Sequence, residues 1–559
     1  MKKQLHLTWN IKKLFSWTNL AIITIAGLAI FTRFYKLTTL PVGLNLDEAA
    51  TAYDAYSLAY WRVNRQMMHL PVYLPNFGGG QSALYSYLDA VCIRLFGLNT
   101  FVIRLPAALI SILLILIGAL IIEDNLGKKP ALFGAFLLTI FPYFICQGRF
   151  GWDCNLLLGF FTLSFYLLTL AVRRKKWFYW TLAGLSFGLT LYCYALGWIV
   201  LPVFLLLTVI YLFCLKKINW RQLVAFAIPL FILALPLITF VIINVCDLDA
   251  VFSRFFYIPK LNILRTDEFS QGDMMLRFID LPKSLLYVSS PENFESFMVG
   301  WTLYAWSIPF LIFGVIQVIK KSFLSWKKRE FATEPLICFW LIGGLVLAAV
   351  LGTVLHNHNS LFFPLAFCIV YGFVWFAQLI KKSRRPVYWS IVIVLASASF
   401  VNFFYQYFVV FADSGYRVHF DDTPETALTA LSEWGKAQGL SQEEINKKDI
   451  WIDVKYIYYY LGAQVPPTLS SPTLDVLNEV RYQNLHFEFL PGRDPAFDFI
   501  PKEIDVDDIY IITAVGSQDD YIQKLLDAGL TEIYRDRKWV LLLNPESFAE
   551  SVIPVDEQK

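Results

Sequence analysis

Apolar runs long enough to cross a bilayer recur along the first three-quarters of this chain, and they leave little choice of fold class. A hydrocarbon core about 30 Å thick takes about 20 apolar residues as a helix, and only helices or closed barrels satisfy their backbone polar groups there. Eleven such runs lie near 19–36, 100–122, 130–147, 155–172, 177–196, 198–215, 222–245, 298–319, 333–354, 360–380 and 387–411. The chain is 57% hydrophobic and 16% charged, where soluble domains carry roughly 25% charge. The composition excludes a soluble enzyme and predicts an all-α polytopic membrane bundle.

Basic clusters give its topology, because positive charge marks cytoplasmic loops. They are Lys2-Lys3 with Lys12-Lys13, Lys128-Lys129, Arg173-Arg174-Lys175-Lys176, Lys216-Lys217 with Arg221, Lys320-Lys321 with Lys327-Lys328-Arg329, and Lys381-Lys382 with Arg384-Arg385. This pattern predicts a multi-pass plasma-membrane protein with a cytoplasmic N-terminus. No small-x-small site precedes Arg33 and Lys36, so the first run is expected to remain as an anchor. Parity sets aside the apolar stretch 81–97. Were it to span, every later cluster would face outward, so it reads as an interfacial helix, which Asp89 and Arg94 suit.

Beyond the last run the character changes. Residues 413–559 hold 27 acidic and 13 basic side chains, whereas 1–412 hold 17 and 34. The change predicts a membrane domain over 1–412 and a soluble extracytoplasmic α/β domain over 413–559. Alternating segments at 449–454, 485–490, 509–513 and 539–543 read as strands, and 425–438 and 518–529 as helices, the second closed by Gly529. The eight cysteines are scattered, with no Cys-x-x-Cys pair and none in the tail. That argues against a disulfide scaffold or a zinc site.

The candidate chemistry gathers in the outer loops. The first, 37–99, carries Asp47, Glu48, Asp54 and the glycine run 78–80. The next holds Arg149 and Asp153, and a short turn holds His356, Asn357, His358 and Asn359. Asp47 suits a general base. Equally, Asn45 can cap a helix with Glu48 at its third position, the two carboxylates then only favouring the helix dipole. Asp153 is either a base-site carboxylate or a loop charge beside Arg149. The histidine turn is either polar filler or a phosphate contact, and metal ligation there is the weaker reading. Arg62, Arg65 and His69 fit a phosphate or plain solvation.

These elements together resemble a known superfamily. Leu46-Asp47-Glu48 after the first span, Gly80-Gln81-Ser82-Ala83-Leu84-Tyr85 followed by Phe96-Gly97, Arg104-Leu105-Pro106, and Arg149 four residues before Asp153 resemble the protein O-mannosyltransferases and aminoarabinose transferases. These are GT-C fold glycosyltransferases of the family 39 type. The likeness covers residues 15–200 well and 298–380 loosely. It implies Asp47 as the catalytic residue with Glu48 beside it, Asp153 as a second site carboxylate, and Arg149, His356, His358, Asn359 and Gln81 as donor or phosphate contacts. It further implies a polyprenyl- or dolichyl-phosphate sugar donor and inverting transfer. Gln81-Ser82-Ala83 stands where some relatives have Lys-Pro-Pro, and Asn357 and Asn359 stand where a cation is common.

The expected partners are therefore a polyprenyl-phosphate-linked sugar, membrane lipid and an outer acceptor that is a glycan, lipid or protein, with no nucleic acid. Carboxylates and water suit Mg or Mn, with Asp47 and Asp153 as candidate ligands, although nothing in the sequence requires a cation. The competing expectation is a transporter or flippase of lipid-linked glycans, which would show charges within spans, broken helix pairs or internal repeats.

Overall fold

The computed structural model describes residues 17–76, 79–261, 273–288, 300–352, 354–412, 420–467, 480–487, 504–514 and 519–551. The lysine cluster at 2–13, Gly78 and the strand residues 488–490 lie outside them. In chain order the elements are α1 (Trp17–Phe34), β1 (Leu44–Asn45), α2 (Leu46–Trp61), β2 (Tyr73–Asn76), β3 (Gly79–Ser82), α3 (Leu84–Phe96) and α4 (Thr100–Leu126). Next come α5 (Lys128–Ile140), α6 (Pro142–Gln147), α7 (Cys154–Arg174), α8 (Trp177–Thr190), α9 (Gly197–Cys214) and α10 (Trp220–Val245). Then follow β4 (Val251–Phe252), β5 (Tyr257–Ile258), α11 (Met274–Leu286), β6 (Tyr287–Val288), β7 (Gly300–Trp301), α12 (Ile308–Lys328), α13 (Glu334–Val350), α14 (Phe362–Leu379) and α15 (Arg385–Tyr405). The tail adds β8 (Phe420–Asp421), α16 (Glu425–Ala437), α17 (Gln442–Ile445), β9 (Ile450–Ile452), α18 (Tyr456–Gly462), β10 (Val480–Tyr482), β11 (Leu485–Phe487), β12 (Ile509–Thr513), α19 (Asp519–Asp527), β13 (Thr531–Arg535) and β14 (Trp539–Leu543).

Helices stand at all eleven expected positions, but among the described residues seven are long and apolar enough to span, and two more apolar helices fall just short. The run 130–147 is broken at Phe141-Pro142, and α8 stops at Thr190. Two compact units form: Met1–Leu37 with Arg104–Thr239 and Arg265–Tyr407, and Thr38–Ile103 with Phe240–Leu264 and Phe408–Lys559.

The first unit is the helical bundle. Its core is aromatic: the Phe161 and Trp340 rings stack 3.8 Å apart, with Phe165 and Phe204 against the same indole. Helices α12 and α14 cross at Gly314 and Gly372, where a Cβ on either would strike the backbone of Cys368 or Phe310. Small residues at such crossings let helix backbones approach in lipid.

The break at Pro142 would strand carbonyls in that bundle, and each is accounted for. Proline has no N–H to give Leu138. Arg33 instead donates to the Leu138 and Thr139 carbonyls at 3.1 and 2.6 Å, the Tyr304 hydroxyl donates to Ile140 at 2.7 Å, and the Phe141 amide to Leu137 at 2.9 Å. Arg149 does the same for the end of α1, donating to the carbonyls of Thr32, Arg33 and Tyr35 at 2.8, 3.0 and 2.7 Å. A cation at a helix C-terminus also complements its dipole.

The second unit joins the first outer loop to the tail. A six-stranded sheet runs β10-β11-β9-β12-β14-β13, with β11, β9 and β12 parallel. Strand alternation sends Ile450, Ile452, Ile509, Ile511, Leu541 and Leu543 to one core, which they share with Ala49, Ala52 and Tyr53 of α2. Trp451, Tyr510, Ile512, Val540 and Leu542 face Ile522 and Leu525 of α19. The loop is fastened to the tail by hydrogen bonds as well. β1 pairs antiparallel with β8, Tyr458 donates to the Leu44 carbonyl at 2.9 Å, and Tyr53 to that of Val465 at 2.8 Å. Strands β9, β11, β12 and β14 and helices α16 and α19 lie where alternation and capping residues predict them; β10 and β13 carry no such pattern.

Candidate active site

Helix α2 begins where Asn45, in extended backbone, accepts from the Asp47 amide at 2.9 Å, while Glu48 accepts from the Asn45 amide at 3.3 Å. The capping box is therefore real. It separates the two carboxylates: Glu48 is wholly buried within the cap, whereas Asp47 is half-buried at the mouth of the helix.

Asp47 is held from the β2–β3 hairpin. Asn76 Nδ2 donates to Asp47 Oδ1 at 2.8 Å and to Gln81 Oε1 at 2.9 Å, and Gln81 Nε2 donates to Thr51 Oγ1 at 2.9 Å. Behind Asn76 stands Arg65, donating to Asn76 Oδ1 at 2.6 Å and to the Pro75 carbonyl at 3.1 Å. Arg65 in turn is paired with Asp54, its amide 2.9 Å and its guanidinium 3.8 Å from the carboxylate, both side chains buried. Gln81, expected as a donor contact, is buried and supports Asn76. Arg65 is spent on the hairpin.

Asn76 and Thr51 were not singled out by sequence, and Asp54 was named there only as a charge of the first outer loop. Two amides flanking a glycine run, Asn76 and Gln81, are the trace they leave, since a hairpin brings such flanks face to face. Asn76→Ala is expected to release Asp47 from the hairpin and to cost about 1.5–3 kcal/mol of stability. Thermal unfolding of the purified variant checks this.

Helix α3 packs on α2 through Tyr85, Ser86, Asp89, Ala90 and Ile93, a helical 3- and 4-residue spacing. Asp89 does not reach a wet interface, as its charge suggested. It is fully buried, and neither carboxyl oxygen has a hydrogen-bond partner among the described residues.

The other predicted residues belong to the bundle unit. Asp153 is buried and caps α7, accepting from the Cys154 amide at 2.7 Å. Arg149 is engaged with the α1 carbonyls described above. A small cavity of about 40 Å³ lies beside this turn, walled by Tyr143, Trp152, Trp301 and Phe403 and edged by Gln147, His356 and Asn359. Its volume suits ordered water. The His356 ring lies 4.7 Å from that of Trp152, and Asn359 Nδ2 donates to the Cys154 carbonyl at 2.6 Å. Gln147 Nε2 and Asn359 Oδ1 have no hydrogen-bond partner among the described residues, so the cavity wall offers one donor and one acceptor. His358 is not in this wall; it is buried with Nε2 3.2 Å from the Gly352 carbonyl. Asn357 accepts from the Tyr194 hydroxyl at 3.0 Å. Among the described residues no three His, Cys, Asp or Glu side chains gather as a metal site.

Among the described residues, seven helices are long and apolar enough to cross a bilayer, which defines the class: a multi-pass helical membrane protein. Residues 81–243 match the model of the family described as dolichyl-phosphate-mannose-protein mannosyltransferase. No curated protein sequence matches the chain. Among solved structures, ArnT from Cupriavidus metallidurans bound to undecaprenyl phosphate is 14% identical, covers 94% of this chain and 98% of its own, with TM-score 0.48. The apo oligosaccharyltransferase of Archaeoglobus fulgidus is 16% identical over 82% of this chain and 65% of its own, with TM-score 0.50. The same organism's AglB, in complex with an inhibitory peptide and a dolichol-phosphate, is 15% identical over 81% and 63%, with TM-score 0.46. The resemblance read from the sequence is borne out, since the matched family and the matched folds are those of GT-C glycosyltransferases.

Proposed function

We propose that this protein moves a single sugar from a polyprenyl-phosphate donor to a hydroxyl group on the outer side of the membrane, inverting the anomeric centre. The observation that carries this reading is the half-buried Asp47 carboxylate, oriented by Asn76 at the start of α2. A base must be fixed within reach of the proton it takes, and a helix N-terminus stabilises its negative charge by roughly 0.3–1 kcal/mol.

In the proposed step Asp47 accepts the proton of the acceptor hydroxyl as that oxygen attacks the anomeric carbon. The bond from that carbon to the phosphate oxygen breaks on the opposite face. Polyprenyl phosphate leaves with the electron pair. Glu48 serves the cap that fixes the helix, and Asp153 orders the α7 turn. His356, Gln147 and Asn359 edge the water-sized cavity beside that turn. Arg149 acts by holding the end of α1, and His358 by holding its own turn.

The test is transfer by the purified protein in nanodiscs supplied with a radiolabelled polyprenyl-phosphate sugar and an envelope extract as acceptor. The expected result is label leaving the lipid for the acceptor with an inverted linkage. Movement of intact labelled lipid between leaflets with no bond broken would instead establish the transporter reading.

A further inference from the structure

At the opposite pole of the bundle unit, a groove of about 770 Å³ opens between α1, α5, α14 and α15. Its walls are apolar, formed by Ile25, Phe133, Phe136, Trp389 and Ile393, with Thr24 and Ser397 as neutral polar points. One end is different: Lys129 and Arg385 both line it there. Each opens its helix within two residues of the start, so the two cations share one level of the bundle. Arg385 donates to the Ile380 and Gln378 carbonyls at 3.2 and 3.3 Å. Neither cation pairs with a carboxylate among the described residues, and no acidic side chain lines the groove.

Arg385 and Ser397 are twelve residues apart on α15, which at 1.5 Å per residue is roughly 18 Å along the helix. That is the reach of an acyl chain beneath a headgroup. The cationic end belongs to the clusters that mark the cytoplasmic face, where anionic lipid meets basic pockets between helices.

We infer that this groove binds an anionic glycerophospholipid, its phosphate on Lys129 and Arg385 and one acyl chain running toward Ser397. Asp47 is not among the residues that line this groove, and the inference needs no assumption about the transfer reaction.

Native mass spectrometry of the full-length protein tests it, with phosphatidylglycerol and phosphatidylcholine added in turn. The wild type is expected to retain phosphatidylglycerol preferentially. The double variant Lys129→Gln/Arg385→Gln is expected to lose that preference by about tenfold or more. Lys129→Arg/Arg385→Lys keeps the charge and is expected to keep the preference, and Ser397→Phe is expected to weaken both lipids by filling the chain end of the groove. Equal retention of the two lipids by the wild type would overturn the proposal. So would displacement of phosphatidylglycerol by polyprenyl phosphate but not by a second anionic glycerophospholipid, because the groove would then serve the donor.

Discussion

Asp47→Asn is expected to cut turnover by about 10²- to 10⁴-fold, the range that a positioned base contributes, while leaving the protein folded. Asparagine keeps an oxygen for Asn76 Nδ2, which lies 2.8 Å from Asp47 Oδ1. The hairpin and the cap need not shift, and only the ability to take a proton goes. Glu48→Ala should behave differently, since it leaves no oxygen for the cap. That side chain accepts from the Asn45 amide inside the cap, so its loss acts on helix stability, by about 0.5–2 kcal/mol, with a smaller effect on turnover. Radiolabel transfer and thermal unfolding of the two variants, measured side by side, separate the roles. If Asp47→Asn turned over within tenfold of wild type, Asp47 would not be the base.

The capping box illustrates what spacing can and cannot settle. Asn45 and Glu48 at a separation of three residues announce the helix start, and the same pattern was equally a reason to doubt any chemistry there. Only the folded chain divides the two carboxylates: Glu48 is wholly buried in the cap and Asp47 is half-buried. Long-range partners were illegible for the same reason. Arg149 and Asp153 look like a local pair, yet Arg149 reaches back more than a hundred residues to the α1 carbonyls. Arg33 reads as a flank of the first span, yet it repairs the Pro142 break between α5 and α6. In lipid, orphan carbonyls recruit whichever cation can reach them, and hydropathy does not say which. The bundle itself was legible because apolar run length is a one-dimensional signal. The strands β9, β12 and β14 were legible because each is a short apolar run, buried on both faces. The packing of α2 onto the sheet was not, since Ala49, Ala52 and Tyr53 carry no mark of their partner.

Asp89→Asn is expected to stabilise the protein, and by more as the pH rises. Burial, and then the Glu48 carboxylate, push the Asp89 carboxyl well above the usual carboxylate range. With both oxygens buried and without a hydrogen-bond partner among the described residues, the neutral acid is the form this site tolerates. The unfolded chain releases that proton near the ordinary value of about 3.9. Between that value and the raised one, folding must take up a proton, so wild-type stability is fully present below about pH 4 and falls as pH climbs. The slope is about 1.4 kcal/mol per pH unit for one such group, levelling once the folded-state value is passed. An amide cannot ionise, so the variant escapes the penalty. Thermal unfolding of both proteins between pH 4 and pH 8 should show Tm values that nearly coincide at the acid end and separate steadily toward the alkaline end. The same gap at every pH would mean that Asp89 is ionised in the folded protein. Its carboxylate would then need a cation or donor beside Glu48, and the α2–α3 interface would have to be rebuilt around that group.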